Sequence, residues 1–295
     1  MALRDEAVTL VASVVAREAL SLADIPGQRR ALAALAGFLN EVQQVAMDVE
    51  FYVWMTQNNE RVRGTHANRM NAIERWDAPP EGGHPTQDFG CRCYALPLSI
   101  DSYWERVSES VEGFTADVGD WEGNVEHMYL DDVGNVTVGK GKLLPDPTVA
   151  EVMPFRYRSS DELASPEAIR DEYQVVASQQ PSQQHGAAFY EQFTQLYLAQ
   201  KDIDALVQSY VRENFEPMLD QYPRFGNFPY PAQVVLWDMI YNLGAGGLRE
   251  YQNMRRAILD DAWERAAAES GRGGISPSRN QYVFDLFMSA EHLDD

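Results

Sequence analysis

Three side chains in the segment WEGNVEHMYLDDVGNVTVGKG, residues 121–141, have the types and spacing that acid–base chemistry needs. Asp131 follows Glu122 by nine positions, and Thr137 follows Asp131 by six. Glycoside hydrolysis uses two carboxyl groups on either side of the scissile bond. One gives its proton to the leaving oxygen, and the other, ionised, acts as base or nucleophile. Their environments must push their pKa values apart. A threonine hydroxyl beside them would hold the attacking water. The chain carries 45 Asp and Glu residues, so spacing alone describes a solvated acidic hairpin at least as well.

Positioning these groups takes a helix end and a hairpin. EHMYLDD and VTVGKG read as two strands about a Val-Gly-Asn turn. Before them, Tyr103, Val107 and Val111 share one helical face. Ser99 and Asp101 are cap candidates, Gly113 is a candidate stop, and a short helical turn is expected over 115–121. Helical periodicity also covers 4–22 and 28–55; in the second, Leu32, Leu35, Leu39, Val42, Val45 and Val49 recur at steps of three and four. The stretch 56–98 is rich in Pro and Gly and reads as loop with short strands. From 165 onward the pattern is helical. Ser165 is the N-cap and Pro166 the first position of one helix, and further helices are expected over 186–200, 202–222 and 231–244 and through NMRRAILDDAWERAAAES and PSRNQYVFDLFMSA.

A length of 295 residues and 45% apolar residues allow a sizeable core, in one large domain or two ordinary ones. The net charge of −21 argues against nucleic acid as partner, since that binding draws on Lys and Arg. It also argues against an anionic membrane surface, and no apolar run reaches the roughly 18 residues of a membrane span. The N-terminal VTLVASVVA follows RDEA rather than a basic region, so an amphipathic helix is expected there and no signal peptide.

The segment around Glu122 resembles the active-site stretch of the T-even phage lysozyme family, which runs Glu-Gly, Tyr, Asp, a Gly-containing turn, then Thr-(Ile/Val)-Gly-x-Gly. Both spacings match. The resemblance implies that Glu122 is the general acid, Asp131 the second carboxylate and Thr137 the water-positioning hydroxyl. The family continues with His where this chain has Lys142. WDMIYNLGAGGLREYQNMRRAI resembles the family's central helix and substrate-contacting turn, which puts Asn242 at a polar cleft position and Gly244 at the conformationally special one. SPSRNQYVFDLF resembles the last helices, where an Arg pairs with the catalytic Glu; Arg279 falls in that place. QKDIDALVQSYVREN looks like the start of the helix joining the two lobes. The matches run in order over 112–295, apart from an insertion within 145–198.

WMTQNNERVRGTH, RWDAPPEGGHP and FGCRCYALP resemble the C-terminal part of the Mu F-like minor head (head-morphogenesis) proteins of phages, over 25–98. That resemblance implies a role in head assembly. Cys91 and Cys93 are too close for an unstrained disulfide. With His66 and His84 they form either a metal site or a packing cluster of free thiols and hydrogen-bonded histidines. The Cys-x-Cys spacing is tighter than that of a zinc finger and favours the packing cluster, so no metal is expected.

The expected fold is mainly α with a small β-hairpin lobe, a two-lobed α+β lysozyme fold. A small α-rich domain with a loop-rich cysteine region precedes it. The expected domains are 1–98, a connecting helix at 99–111, and 112–295 with lobes at 112–200 and 201–295. The expected activity is that of a muramidase, a glycoside hydrolase cleaving the β-1,4 bond between N-acetylmuramic acid and N-acetylglucosamine with inversion. Catalysis would fall to Glu122, Asp131 and Thr137, supported by Arg279, with Asn242, Gly244 and Lys142 on substrate and no cofactor. Peptidoglycan is the expected partner. A secretion-system or virion component, met through the front domain, and a cognate immunity protein are further ones. Synthesis in the cytoplasm and action in the wall or periplasm of a target bacterium fit a delivered effector or a virion-borne lysin. The alternative is a non-catalytic phage head protein whose lysozyme-like half only binds glycan.

Overall fold

Phe-Tyr-Val-Trp-Met is an unbroken run of large apolar residues, three of them aromatic and one β-branched, the pattern of a strand covered on both faces. In the computed structural model, which describes residues 26–57, 59–60, 62–88, 91–179 and 185–292, it forms the central strand of a sheet. The expected helix over 4–22 lies outside the described residues. The helix expected over 28–55 spans only Pro26–Ala46. Asp48 adopts a left-handed φ of 56°, which stops it, and the aromatic run follows as strand β1 (Phe51–Met55).

Strands β2 (Ile73–Arg75) and β3 (Tyr94–Leu98) pair antiparallel with β1, in the order β2-β1-β3. Phe51 faces Arg75 on one side and Leu98 on the other. Tyr52 and Trp54, which alternation sends to the same face, pack with Cys91, Cys93 and Ala95. The helix Pro26–Ala46 is pinned to β3 because Asn40 Nδ2 and Gln44 Nε2 both donate to the Ala95 carbonyl, at 2.9 and 3.0 Å. The edge strand β2 is satisfied by a segment from far along the chain. Asn227 Oδ1 accepts from the Ile73 N–H, and Asn227 Nδ2 donates to the Ile73 carbonyl, both at 2.7 Å. One carboxamide thereby supplies what a neighbouring strand would.

The chain divides into two compact units, residues through Val107 with Met218–Pro229, and Ser108–Pro217 with Tyr230 onward. The helix Ile100–Asp117 does not stop at Gly113. A Cβ at Gly113 would stand 1.9 Å from the Tyr230 hydroxyl, so glycine serves close approach there rather than termination.

In the second unit the expected hairpin is β4 (Val125–Leu130) and β5 (Val136–Gly139), extended by β6 (Lys142–Leu143) into an antiparallel sheet ordered β4-β5-β6. Met128, Leu130, Val136 and Val138 form a core with Phe155, Ile169, Val176 and Tyr190. Ser165 caps the helix Pro166–Ala177 by accepting from the Ala168 N–H, with Pro166 at its start. The stretch expected as helix over 186–200 is instead a 3₁₀ helix, Ala187–Phe193, and strand β8 (Leu196–Tyr197), which pairs with β7 (Arg156–Tyr157). The buried Glu172 carboxylate accepts the N–H groups of Gln195 and Leu196, drawing them away from a helical ladder.

The helix expected over 202–222 divides into Gln200–Glu213 and Phe215–Leu219. In Tyr230–Leu248 every residue from 234 to 240 is buried, which suits a central helix. The helices Gln252–Leu259, Trp263–Ala268 and Pro277–Glu291 follow. The architecture is thus mixed α and β, with more helix than strand and small antiparallel sheets. No helix among the described residues is long and apolar enough to cross a membrane.

Asn227→Ala should destabilise the first unit by about 1–3 kcal/mol, because it strands the N–H and carbonyl of the buried Ile73. Urea unfolding followed by tryptophan fluorescence reads this as a lower midpoint with an unchanged slope.

Candidate active site

Glu122 ends the short helix Gly119–Glu122, and Gly123 turns the chain into β4 with a φ of 76°. Its carboxyl meets Arg279, which stands in the first turn of Pro277–Glu291. That helix is started by Ser276, whose hydroxyl accepts the Arg279 N–H, with Pro277 in the first turn. Arg279 Nη1 donates to Glu122 Oε1 at 2.5 Å, although 157 positions separate them.

Behind Arg279 the charge alternates inward. Asp238, fully buried on Tyr230–Leu248, accepts from Arg279 Nε at 3.0 Å. Its other oxygen faces Arg272 Nη1 at 2.7 Å, as a charge pair rather than an aligned hydrogen bond. Arg272 in turn reaches Asn242 Oδ1 at 3.4 Å. Two guanidinium groups and two carboxylates thus balance in sequence, and only the outermost, Glu122, is appreciably exposed, at 28% of its side chain. Burial by itself would lower the Arg279 pKa, but Asp238 and Glu122 outweigh it and hold it above its usual value.

Asp131 sits at the end of the hairpin strand and organises the turn. Its Oδ1 accepts from the N–H groups of Val133 and Asn135 at 3.0 and 2.8 Å, and its Oδ2 accepts from Asn135 Nδ2 at 3.1 Å. Slight burial pushes its pKa up, yet these donors prevail and hold it below the usual carboxylate range. Asp131 and Glu122 both raise the pKa of Tyr129, which burial foremost pushes up to about 12. Both carboxylates therefore act on the same phenol. Asp132 is exposed. Thr137 is buried, and its hydroxyl donates to the Asn135 carbonyl at 3.2 Å.

Glu122 opens on a cleft of about 630 Å³, whose walls include Lys142, Val207, Tyr210, Tyr241 and Asn242. This is within the range of small-ligand sites. Glu122 is the one carboxylate among the described wall residues. Asp131 and Thr137 are not on that wall. Gly244 lies just past Asn242 and breaks the long helix with φ 66° and ψ 170°, a backbone that a side chain resists.

Several wall and support residues escape a reading by motif. Tyr241 donates to the Lys140 carbonyl at 2.5 Å. Buried Lys140 donates to the Thr115 carbonyl at 2.6 Å and pairs with Asp204 at 2.9 Å. Asp238 carries a signal of its own in the sequence. A lone carboxylate inside VVLWDMI must find cations, and Arg272 in SGRGG was available.

In the first unit, His66, Cys91 and Cys93 come together. His84 does not join them; its Nδ1 is hydrogen-bonded to the Tyr52 hydroxyl at 2.8 Å.

Residues 11–96 match the family described as Phage Mu protein F like protein. The match begins earlier than the motifs suggest and ends close to where they do. Over 73 residues the chain is 33% identical to an uncharacterized protein of Haemophilus influenzae, a stretch covering 24% of this chain and 16% of that protein.

Asp238→Asn should cost the second unit about 3–5 kcal/mol, because two buried guanidinium groups lose their shared counter-charge. Chemical denaturation of the variant checks this, and a loss below about 1 kcal/mol would mean that the network is solvated.

Proposed function

We propose that the second unit is a muramidase that hydrolyses the β-1,4 bond between N-acetylmuramic acid and N-acetylglucosamine. The observation that carries this reading is the Glu122–Arg279 pair at the edge of a cleft. A single carboxyl, fixed by a buried guanidinium, faces a space large enough for a glycan. Arg279 holds Oε1, so the transferable proton belongs on Oε2. That oxygen faces Gly141, where a Cβ would stand 3.8 Å away and the missing side chain leaves room. Asp131, kept ionised by its donors, is the partner carboxylate. Its Oδ2 carries one hydrogen bond and retains a lone pair to draw a proton from water. Thr137 acts from inside the sheet, with lone pairs rather than its proton to offer. Lys142 and Asn242 contact the sugar, and Gly244 sets the turn beneath it. The two-lobed α+β lysozyme fold is the architecture that this reading entails.

The Mu F-like stretch supports a chain that is loaded into a virion or a secretion apparatus through its front region, and then acts on the wall of a target bacterium. A cognate immunity protein follows if the chain is an effector.

One observation favours a second reading. Asp131 already has a structural task in the turn, and neither it nor Thr137 lies on the cleft wall. A phage structural protein that binds glycan without cutting it would look the same there.

Three variants separate the readings on purified peptidoglycan, by turbidity and by released reducing ends. Glu122→Gln removes the proton but almost no volume and should lower the rate by at least about 10²-fold. Asp131→Asn keeps an oxygen to accept from Val133 and Asn135, so it should retain the fold and lose activity to a similar degree. Asp131→Ala should lose the turn as well. Wild-type turnover in a folded Asp131→Asn protein would remove the second carboxylate from the mechanism, and inactivity of the wild type on intact glycan would favour the binding reading.

A further inference from the structure

Inside the first unit a histidine and two cysteines converge from separate pieces of chain. His66 comes from the short helix Gly64–Ala67, and Cys91 and Cys93 from the approach to β3. All three are buried. His66 Nδ1 lies 3.4 Å from Cys91 Sγ and 3.6 Å from Cys93 Sγ.

The orientation of the imidazole is fixed by its far side. Nε2 lies 3.4 Å from Asp88 Oδ2, an oxygen that also pairs with Arg63, and the Trp54 ring stands edge-on to the imidazole with centroids 5.5 Å apart. Nδ1 lies against both sulfurs, and a carboxylate on the far ring nitrogen is the usual outer partner of a metal-bound imidazole. One lone pair takes one thiol proton. In a cluster of neutral thiols the second one has weak partners, the other sulfur and the Trp54 indole, whereas a cation would engage all three atoms.

The spacing fits a particular cation. Zinc takes nitrogen at about 2.0–2.1 Å and thiolate at about 2.3 Å, in a tetrahedron. Those lengths put nitrogen and sulfur about 3.6 Å apart, and the two observed separations are 3.4 and 3.6 Å. Cys91 Sγ also accepts the N–H groups of Thr86 and Cys93 at 3.3 and 3.4 Å, donors that suit a thiolate. A space of about 40 Å³ adjoins the three side chains, with Gln57, Arg63 and Arg92 also on its wall. That is room for one water as the fourth ligand.

We propose that His66 Nδ1, Cys91 Sγ and Cys93 Sγ bind one zinc ion, with Asp88 orienting His66. This reverses the expectation of a packing cluster. Binding deprotonates the two thiols, and the protons leave to solvent. The ion would tie the Gly64–Ala67 turn to the start of β3, in a unit whose sheet has three short strands. The site is independent of the proposed muramidase chemistry in the other unit.

The test uses the full chain, purified under reducing conditions after growth with added zinc. Elemental analysis should find about one zinc per chain. Replacing zinc by cobalt(II) should produce a thiolate-to-cobalt charge-transfer band. Cys91→Ser and Cys93→Ser should each lose the metal, and His84→Asn should keep it. Because a cysteine variant can fail to fold, Asp88→Asn is the decisive companion. It leaves all three ligands and should weaken zinc binding about 10–100-fold in a competition with a chromogenic chelator, with circular dichroism unchanged. Less than about 0.1 zinc per folded, zinc-loaded chain would overturn the site. So would zinc retained by the Cys91→Ser, Cys93→Ser double variant, and unchanged affinity in Asp88→Asn would overturn the part of the proposal in which Asp88 orients His66.

Discussion

A fully buried carboxylate on an apolar helix fixes much of the second unit. A carboxylate in that core needs cations beside it, because the desolvation of an unpaired charge outweighs any local packing gain. Arg279 and Arg272 answer it from separate stretches of chain, and each must then be docked to within hydrogen-bond reach. The last helix, the Gly-rich loop before it and the central helix are held in register by these charges. Glu122 is the outer end of the same chain of charges, so its rotamer is set by the core beneath it.

That arrangement bears directly on chemistry. A general acid must be held in place and must also keep an oxygen free to present its proton. In the proposed mechanism the two demands fall on different oxygens of Glu122, one against Arg279 and one toward the cleft. Asp131 shows the opposite economy. Backbone donors of its own turn hold it ionised, so a structural role and the proposed catalytic role converge on one carboxylate.

The first unit solves a different problem. Its sheet has a central strand covered on both faces and an edge that must be closed. A side chain from residue 227 closes that edge, and polar groups of one helix pin the other edge strand. With so little strand to build on, the unit also brings buried side chains together from separate pieces of chain, as around His66.

The sequence by itself determined what near neighbours decide. Alternation and the Gly-Asn turn specified the hairpin, and Ser165-Pro166 marked its helix start. The apolar run 234–240 marked a central helix, and the net charge spoke against nucleic acid. The pairing of Glu122 with Arg279 was legible only through the family pattern, since no local rule links residues so far apart. Tertiary structure decided the rest. Gly113 reads as a helix stop, but a tyrosine hydroxyl occupies the place its side chain would take. Residues 195 and 196 read as helix, but Glu172 captures their N–H groups. Val49 reads as part of a helical stripe, but the chain beyond Asp48 is drawn into a sheet. Asp238, Arg272 and Lys140 look like ordinary charges until burial makes each find its partner. The physical reason is common to all of these. Periodicity and capping act over a few residues, whereas the partner of a buried polar group is set by which distant segments pack together, and its energy exceeds the local preference it overrides.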